Sequence, residues 1–370
     1  MCSAVSALSV VETVDVAVVG AGVTGLACAL MLAERGLSTV ILERHPRPGL
    51  DTSTHNSGVI HAGLYYPPGS LKAALCVEGR RMLYAFCERH NVPHSRCGKL
   101  IVASEPSEVA QFDALLARGR ENGVEGLELV DRAFIAKREP AIRAAAAIYS
   151  PDTGIVDAEA LVRALLHVAE SHGAIFLPGT ALLNADRTAG GLALDTGRET
   201  IYARTVINAA GLYADDVSQM CGGTRFTIYP CRGEYAELTP SKRPLVNALV
   251  YPLPHGHGLG VHLTRSMGGN VWIGPTARYQ DRKDDYESDR LSLDDFVEPT
   301  RALLPSITPD DMRLSGSGIR PKLHPPSEPF ADFLIERDAL NPMLVQVAGI
   351  ESPGLTACLA IGQLVSRLVG

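Results

Sequence analysis

The chain has 370 residues, a length that fits about two domains with substantial cores. Hydrophobic residues make up 46% and charged residues 20%, which sets the chain apart from disordered, collagen-like and multi-span membrane classes. The net charge of -7 and the lack of any Lys/Arg-rich block argue against nucleic acid as a partner.

Cysteines stand at 2, 28, 76, 87, 97, 221, 231 and 358, with no C-x-x-C pair. Reduced thiols are expected, with neither a disulfide framework nor a zinc site. The first fifteen residues lack a basic segment and carry Glu12 and Asp15, so no cleaved signal peptide is expected. Residues 16–33 are long and apolar enough to resemble a membrane span, but Gly20, Gly22 and Gly25 punctuate them as strand, turn and helix. A cytoplasmic protein is expected, with peripheral contact at the inner face of a membrane left open.

In chain order, 14–19 (VDVAVV) reads as a buried parallel strand, 26–35 as a helix closed by Gly36, and 39–42 as the next strand, ending at Glu43. Together they make one βαβ unit. The segment 54–69, THNSGVIHAGLYYPPG, is too apolar for an idle surface loop and too broken by Gly and Pro for a helix. Apolar spacing predicts a helix over 70–91, a strand over 98–103, and exposed helices over 108–122 and 133–139. Residues 153–156 should be extended, 158–172 helical, and 174–177, 192–194 and 205–209 strands. From 228 to 273 the pattern becomes alternating strands with Gly/Pro turns. The highly charged 278–290 reads as a solvated loop. A strand at 345–349 and a helix over 356–369 close the chain.

The expected fold class is α/β (α+β), with a Rossmann-like cofactor-binding domain and a discontinuous, mainly antiparallel substrate-binding domain. The expected boundaries are 1–90, 145–225 and 313–370 for the first and 91–144 and 226–312 for the second.

Gly20-Ala-Gly-Val-Thr-Gly25 lies between strand and helix, as a dinucleotide-binding G-x-G-x-x-G loop must. Gly20, Gly22 and Gly25 let the backbone approach a pyrophosphate, which the amides of Val23 and Thr24 at the helix start would face. Glu43 is placed for ribose hydroxyls, with Arg44 beside it; its charge disfavours a 2′-phosphate. The motif alone does not choose between NAD and FAD.

THNSGVIHAGLYYPPGSLKA (54–73), CGKLIVA (97–103), TGIVD (153–157), NAAGLYAD (208–215), PCRGEY (230–235) and LGVHLT (259–264) resemble segments of the L-2-hydroxyglutarate dehydrogenases. These belong to the D-amino-acid-oxidase-like FAD oxidoreductases. The resemblance implies FAD, a small carboxylate substrate, and oxygen or a quinone as electron acceptor. GIRPKL (318–323) is similar to the amino-acid-oxidase strand whose Arg holds the substrate carboxylate. GIESPGLTACLAIG (349–362) is similar to the loop and helix start that approach the flavin ring. The hydroxyglutarate branch usually carries Asn-Ala-Pro-Ser-Pro where this chain has Gly-Ile-Glu-Ser-Pro. An amino-acid, sarcosine or glycine-type oxidase is therefore the alternative.

Flavin oxidation of a 2-hydroxy acid needs a cation for the carboxylate, a base for the hydroxyl proton, and C2 facing the flavin. By the resemblance Arg320 is the cation, since guanidinium matches carboxylate bidentately. His61 and His262 are both candidate bases, each open also to a structural reading. Arg232 and Lys322 are available for a second carboxylate, and Tyr65, Tyr66 and Tyr235 for hydroxyl contacts. Thr52, Ser53, Asn56 and Ser57 would meet flavin phosphate or ribityl oxygens, with His55 a neighbour. Ala210, Gly211 and Gly318 mark close backbone approaches to the cofactor. Amides of Gly354, Leu355 and Thr356 would face the flavin where negative charge develops on reduction. His255 and His257 read as loop residues with a weak substrate option.

Overall fold

A computed structural model describes residues 13–254 and 261–370. The expectations for the N-terminal segment and for His255 and His257 fall outside the described residues. The βαβ unit forms as its pattern dictates: strand Thr13–Val19, helix Val23–Ala33, strand Thr39–Glu43. These two strands sit inside an eight-stranded sheet. Thr13–Val19 lies between Thr200–Asn208 and Thr39–Glu43, parallel to both, and Leu344–Ala348 and Ile175–Pro178 extend the parallel set. Period-two alternation sends Val16 and Val18 to one face and Ala17 and Val19 to the other, and both faces are covered. Helices Val23–Ala33, Leu71–Arg89, Ala158–Ser171 and Gly354–Val369 cover the first.

The first helix is apolar all round, which suits burial on every side. Small residues let it meet the last helix closely: a Cβ on Gly362 would lie 2.6 Å from the Ala27 carbonyl oxygen. Gly79 does the same between the second helix and the last, 2.6 Å from the Thr356 carbonyl oxygen.

The second sheet has nine strands and is mainly antiparallel. It includes Lys99–Ala103, Tyr229–Leu238, Leu249–Pro252, His262–Arg265 and Val271–Gly274. Two of its strands lie almost wholly within stretches expected for the cofactor-binding domain, 145–225 and 313–370. Ala146–Ser150 pairs with Lys99–Ala103, and Met312–Lys322 pairs along nearly its whole length with Tyr229–Leu238. Their partners lie far away in sequence, so local pattern does not announce the pairing.

The charged segment 278–290 is also not a free loop. Arg290 reaches the fully buried Glu234, Lys283 bonds Asp215 and Asp216 at 2.6 and 2.8 Å, and the Tyr286 ring lies 4.9 Å from His55. It straps the second sheet onto the helix Ala214–Met220. Among the described residues no helix is long and apolar enough to cross a membrane.

Candidate active site

A cavity of about 790 Å³ opens between the two sheets. One end is the glycine loop. The Gly20 amide donates to the Leu42 carbonyl at 2.8 Å with φ +105°, a conformation that favours glycine. Added Cβ atoms would fall 2.5 Å from the Ala209 carbonyl oxygen at Gly20, 2.8 Å from Ser53 Oγ at Gly22 and 2.0 Å from the Gly20 carbonyl oxygen at Gly25. Only glycine lets strand, loop and helix meet there. Ser53 Oγ accepts the Val23 amide at 2.9 Å, while Thr24 and Gly22 line the cavity at the helix start, where an anion is favoured.

Glu43 is buried, and its oxygens accept the Ala21 and His45 amides, each at 2.9 Å. A carboxylate keeps further lone pairs for a diol. Arg44 lies over the Tyr213 ring at 3.9 Å and pairs with Asp51 at 2.9 Å.

The 54–69 segment folds on itself before it can meet a ligand. Asn56 donates to the Thr52 and Ser53 carbonyls and accepts the Gly58 amide, so its amide shapes the loop. Thr52 donates to the Ile319 carbonyl, and a Cβ on Gly318 would sit 2.0 Å from the His55 carbonyl oxygen. The 312–322 strand thus crosses directly against the loop. Ser57, Ala210, Gly211, Gly354 and Leu355 line the cavity. Thr356 is fully buried instead, accepting the His61 amide at 2.9 Å and tying the last helix to the loop.

The other end carries ionisable groups. His61 lines the cavity with Nε2 3.2 Å from Ser352 Oγ, which also meets the Tyr66 hydroxyl at 3.3 Å. Its Nδ1 has no partner among the described residues. Burial, aided by the positive charge of Lys99, lowers the His61 pKa to about 3, so the ring is neutral.

Arg320 also lines the cavity. Both terminal nitrogens donate to the Thr276 carbonyl, at 3.2 and 3.1 Å. No carboxylate among the described residues pairs with it. Gly233 leaves the room it occupies, since a Cβ there would meet Arg320 Nη2 at 2.7 Å. Tyr235 stands nearby, its hydroxyl pKa raised by burial against the pull of Arg320.

Arg232 departs from expectation. It is buried outside the cavity wall, paired with Glu234 at 3.0 Å and bonded to the carbonyls of Asp285 and Asp289. In PCRGEY successive side chains alternate faces, so Arg232 and Glu234 share one and Tyr235 takes the other. His262 lines the cavity as a buried ring stacked 3.5 Å from Tyr251. Lys322 lines it too, 2.8 Å from Glu351 Oε2.

Sequence reasoning singled out neither Lys99 nor Glu351 nor Ser352. Lys99 is 1% exposed, its ammonium 4.6 Å from the Tyr65 ring centre and 4.8 Å from that of Tyr251. A lysine inside the run KLIVA, where every neighbour is buried, was the available signal. The Tyr65 hydroxyl has no partner among the described residues. Among those residues there is no cluster of three or more His, Cys, Asp or Glu that could hold a metal.

Colliding Cβ positions at the glycines, a helix start facing the cavity and the buried, cavity-lining Glu43 carboxylate fit a dinucleotide. Residues 15–368 match the family model described as FAD dependent oxidoreductase. The mitochondrial L-2-hydroxyglutarate dehydrogenase of Arabidopsis thaliana is 35% identical across 96% of this chain and 83% of its own. That of Nematostella vectensis is 33% identical across 96% and 90%. Among solved structures, FAD-bound L-alpha-glycerophosphate oxidase from Mycoplasma pneumoniae superposes with TM-score 0.89 at 27% identity, covering 97% of this chain and 95% of that one. Glycine oxidase from Geobacillus kaustophilus follows at 0.82 and 25%, with the same coverage. The chain therefore belongs to the FAD dependent oxidoreductase family, and FAD is its cofactor.

Proposed function

We propose that this enzyme oxidises a small 2-hydroxy acid, with L-2-hydroxyglutarate to 2-oxoglutarate as first candidate. The observation that carries the carboxylate part of the reading is Arg320: a cavity-lining guanidinium with no carboxylate partner among the described residues. A cation beside an apolar wall wants an anion, and a bidentate carboxylate suits its free N–H edges. The Thr276 carbonyl fixes the guanidinium plane, so C2 of a bound acid is oriented as well as held.

FAD, when bound, supplies the hydride acceptor. His61 receives the hydroxyl proton: it is neutral, it keeps a lone pair, and Ser352 holds its Nε2 edge. Anionic substrate beside it would raise its basicity toward the working pH. His262, stacked flat on Tyr251, serves as cavity wall in this reading. Relatives about one-third identical carry the L-2-hydroxyglutarate dehydrogenase name, which supports the CH–OH donor.

The second reading is oxidation of a CH–NH donor, favoured by the likeness to a glycine oxidase. It needs the same Arg320 but no hydroxyl base. Anaerobic mixing of the FAD-loaded protein with hydroxy acids and amino acids separates the two. Bleaching of the flavin absorbance by hydroxy acids alone is expected. Bleaching by an amino acid, with L-2-hydroxyglutarate inert, favours the second.

A further inference from the structure

Behind the cavity wall sits a buried amine that substrate binding leaves without a role. We infer that Lys99 is a positioning residue that acts through His61, taking up at Nζ the proton that leaves His61 Nδ1 when Nε2 receives one from the substrate hydroxyl. This rests on the 2-hydroxy-acid reading above, with His61 as the base.

The fold brings the two side chains to one layer. Strand Lys99–Ala103 is buried throughout, and its side chains alternate between faces. Leu100 and Val102 join the core that contains Val250 and Leu263. Ile101 and Ala103 pack instead with Ala62 and Leu64, from the loop that bears His61. Lys99 shares this second face. Its ammonium lies 4.6 Å from the centre of the Tyr65 ring, on the same loop as His61, and 4.8 Å from that of Tyr251. Cys76, from the helix Leu71–Arg89, donates its thiol to the His61 carbonyl at 3.5 Å. His61 and Tyr65 from the loop, Cys76 from the helix and Tyr251 from the adjoining strand are thus the titratable groups that face Lys99.

The same layer holds unmet polar atoms. His61 Nδ1 and the Tyr65 hydroxyl are buried and have no partner among the described residues. Such atoms are costly unless something answers them. His61 Nε2 faces the other way, toward the exposed Ser352 and the cavity. A neutral amine behind the ring accepts from Nδ1–H and leaves the Nε2 lone pair for the substrate. An ammonium there favours the reverse tautomer, because its charge attracts the Nδ1 lone pair. The protonation state of Lys99 therefore decides whether His61 offers its lone pair to the cavity.

The proton count closes. The substrate O–H bond breaks as Nε2–H forms, and Nδ1–H breaks as a new N–H bond forms on Lys99, directly or across one bridging water. The C2 hydrogen leaves with its bonding pair as hydride to the flavin. His61 ends neutral, as the other tautomer, and Lys99 ends as the ammonium. Burial favours this direction: it lowers the Lys99 pKa to about 7 against the opposing pull of Cys76, whereas that of His61 falls to about 3. A proton delivered to His61 thus comes to rest on Lys99.

The test follows anaerobic flavin reduction in the FAD-loaded protein with saturating L-2-hydroxyglutarate, in wild type, Lys99→Met and Lys99→Arg. The wild-type rate should rise with pH through about 7 and then level off, because the free amine is the acceptor. Both variants should be slower by about 100-fold, with substrate affinity little changed and the limb near neutral pH gone. Arginine keeps the charge but cannot take a proton. A wild-type rate in Lys99→Arg, or a limb that survives in Lys99→Met, overturns the relay. NMR of the FAD-loaded protein with isotope-labelled histidine reads the ring without turnover, and His61→Gln assigns the signal. The neutral ring should carry its proton on Nδ1 above about pH 7 and on Nε2 below it, and Lys99→Met should abolish the change. One tautomer across that range overturns the proposal. A ring that switches with Lys99 while no hydroxy acid reduces the flavin keeps the Lys99–His61 pairing and sinks the hydroxy-acid reading. Reduction by L-2-hydroxyglutarate that ignores both variants does the reverse.

Discussion

At Arg320 a guanidinium that no carboxylate among the described residues answers stands at the wall of a cavity, and the proposed carboxylate chemistry rests on it. Replacing it by alanine should leave FAD bound and lower kcat/KM for a carboxylate substrate by about 30-fold or more. Steady-state kinetics with the flavin content checked by absorbance would show it, and unchanged kinetics would remove Arg320 from the site. Lys99 makes the opposite kind of prediction. Burial lowers its pKa to about 7 from the ordinary 10.5. The folded protein therefore holds fewer protons than the unfolded one between about pH 7 and 10.5, so this group's stabilising contribution is complete only above that window and is lost as pH falls through it. Lys99→Met should raise stability at pH 7, by about 1–4 kcal/mol, with the gain shrinking toward pH 10. Thermal melts at several pH values would measure this, and a pH-independent difference would contradict it.

Elements explain where those side chains come from. The 158–171 helix has Asp157 as its cap, accepting the Ala160 amide at 2.9 Å, and Asp157 itself does not line the cavity. Asp157→Ala should cost about 1 kcal/mol of stability and leave kcat/KM as it is; a large activity loss would mean the helix is tied to the site in a way the cavity walls do not reveal. The βαβ unit was legible because strand, glycine turn, helix and acidic residue are consecutive and each has its own period. The 54–73 segment was legible by resemblance. Of the 312–322 strand, only 318–323 was legible, by resemblance; its full extent and pairing were not, because GSGIRPK lacks alternation and its partner lies some eighty residues upstream. Arg232 misled for a related reason. Its partners, Glu234 and the carbonyls of Asp285 and Asp289, come together only when the 278–290 segment folds back. Lys72 and Glu351 sit in unrelated stretches, so their ion pair could not be read locally.

For the molecule as a whole, two sheets of different construction share one cavity. The parallel sheet supplies the glycine loop and Glu43, and the antiparallel sheet supplies Arg320, Lys322, Tyr235 and His262. The loop bearing His61 and the start of the last helix lie between them, joined by the bond from the His61 amide to Thr356. Strand 312–322 crosses that loop at Gly318, so the strand bearing Arg320 and the loop bearing His61 are held close to one another. The segment 278–290 ties the layers together by its lysine and arginine pairs. Arg320, Lys72, Lys322 and Glu351 lie at one end of the cavity, and the glycine loop with Glu43 lies at the other.

The most direct measurement is an anaerobic titration of the FAD-loaded protein with L-2-hydroxyglutarate, following flavin absorbance and assaying the product. Full bleaching is expected, with one equivalent of 2-oxoglutarate formed per flavin reduced. A flavin that stays oxidised with L-2-hydroxyglutarate and bleaches with an amino acid would contradict it.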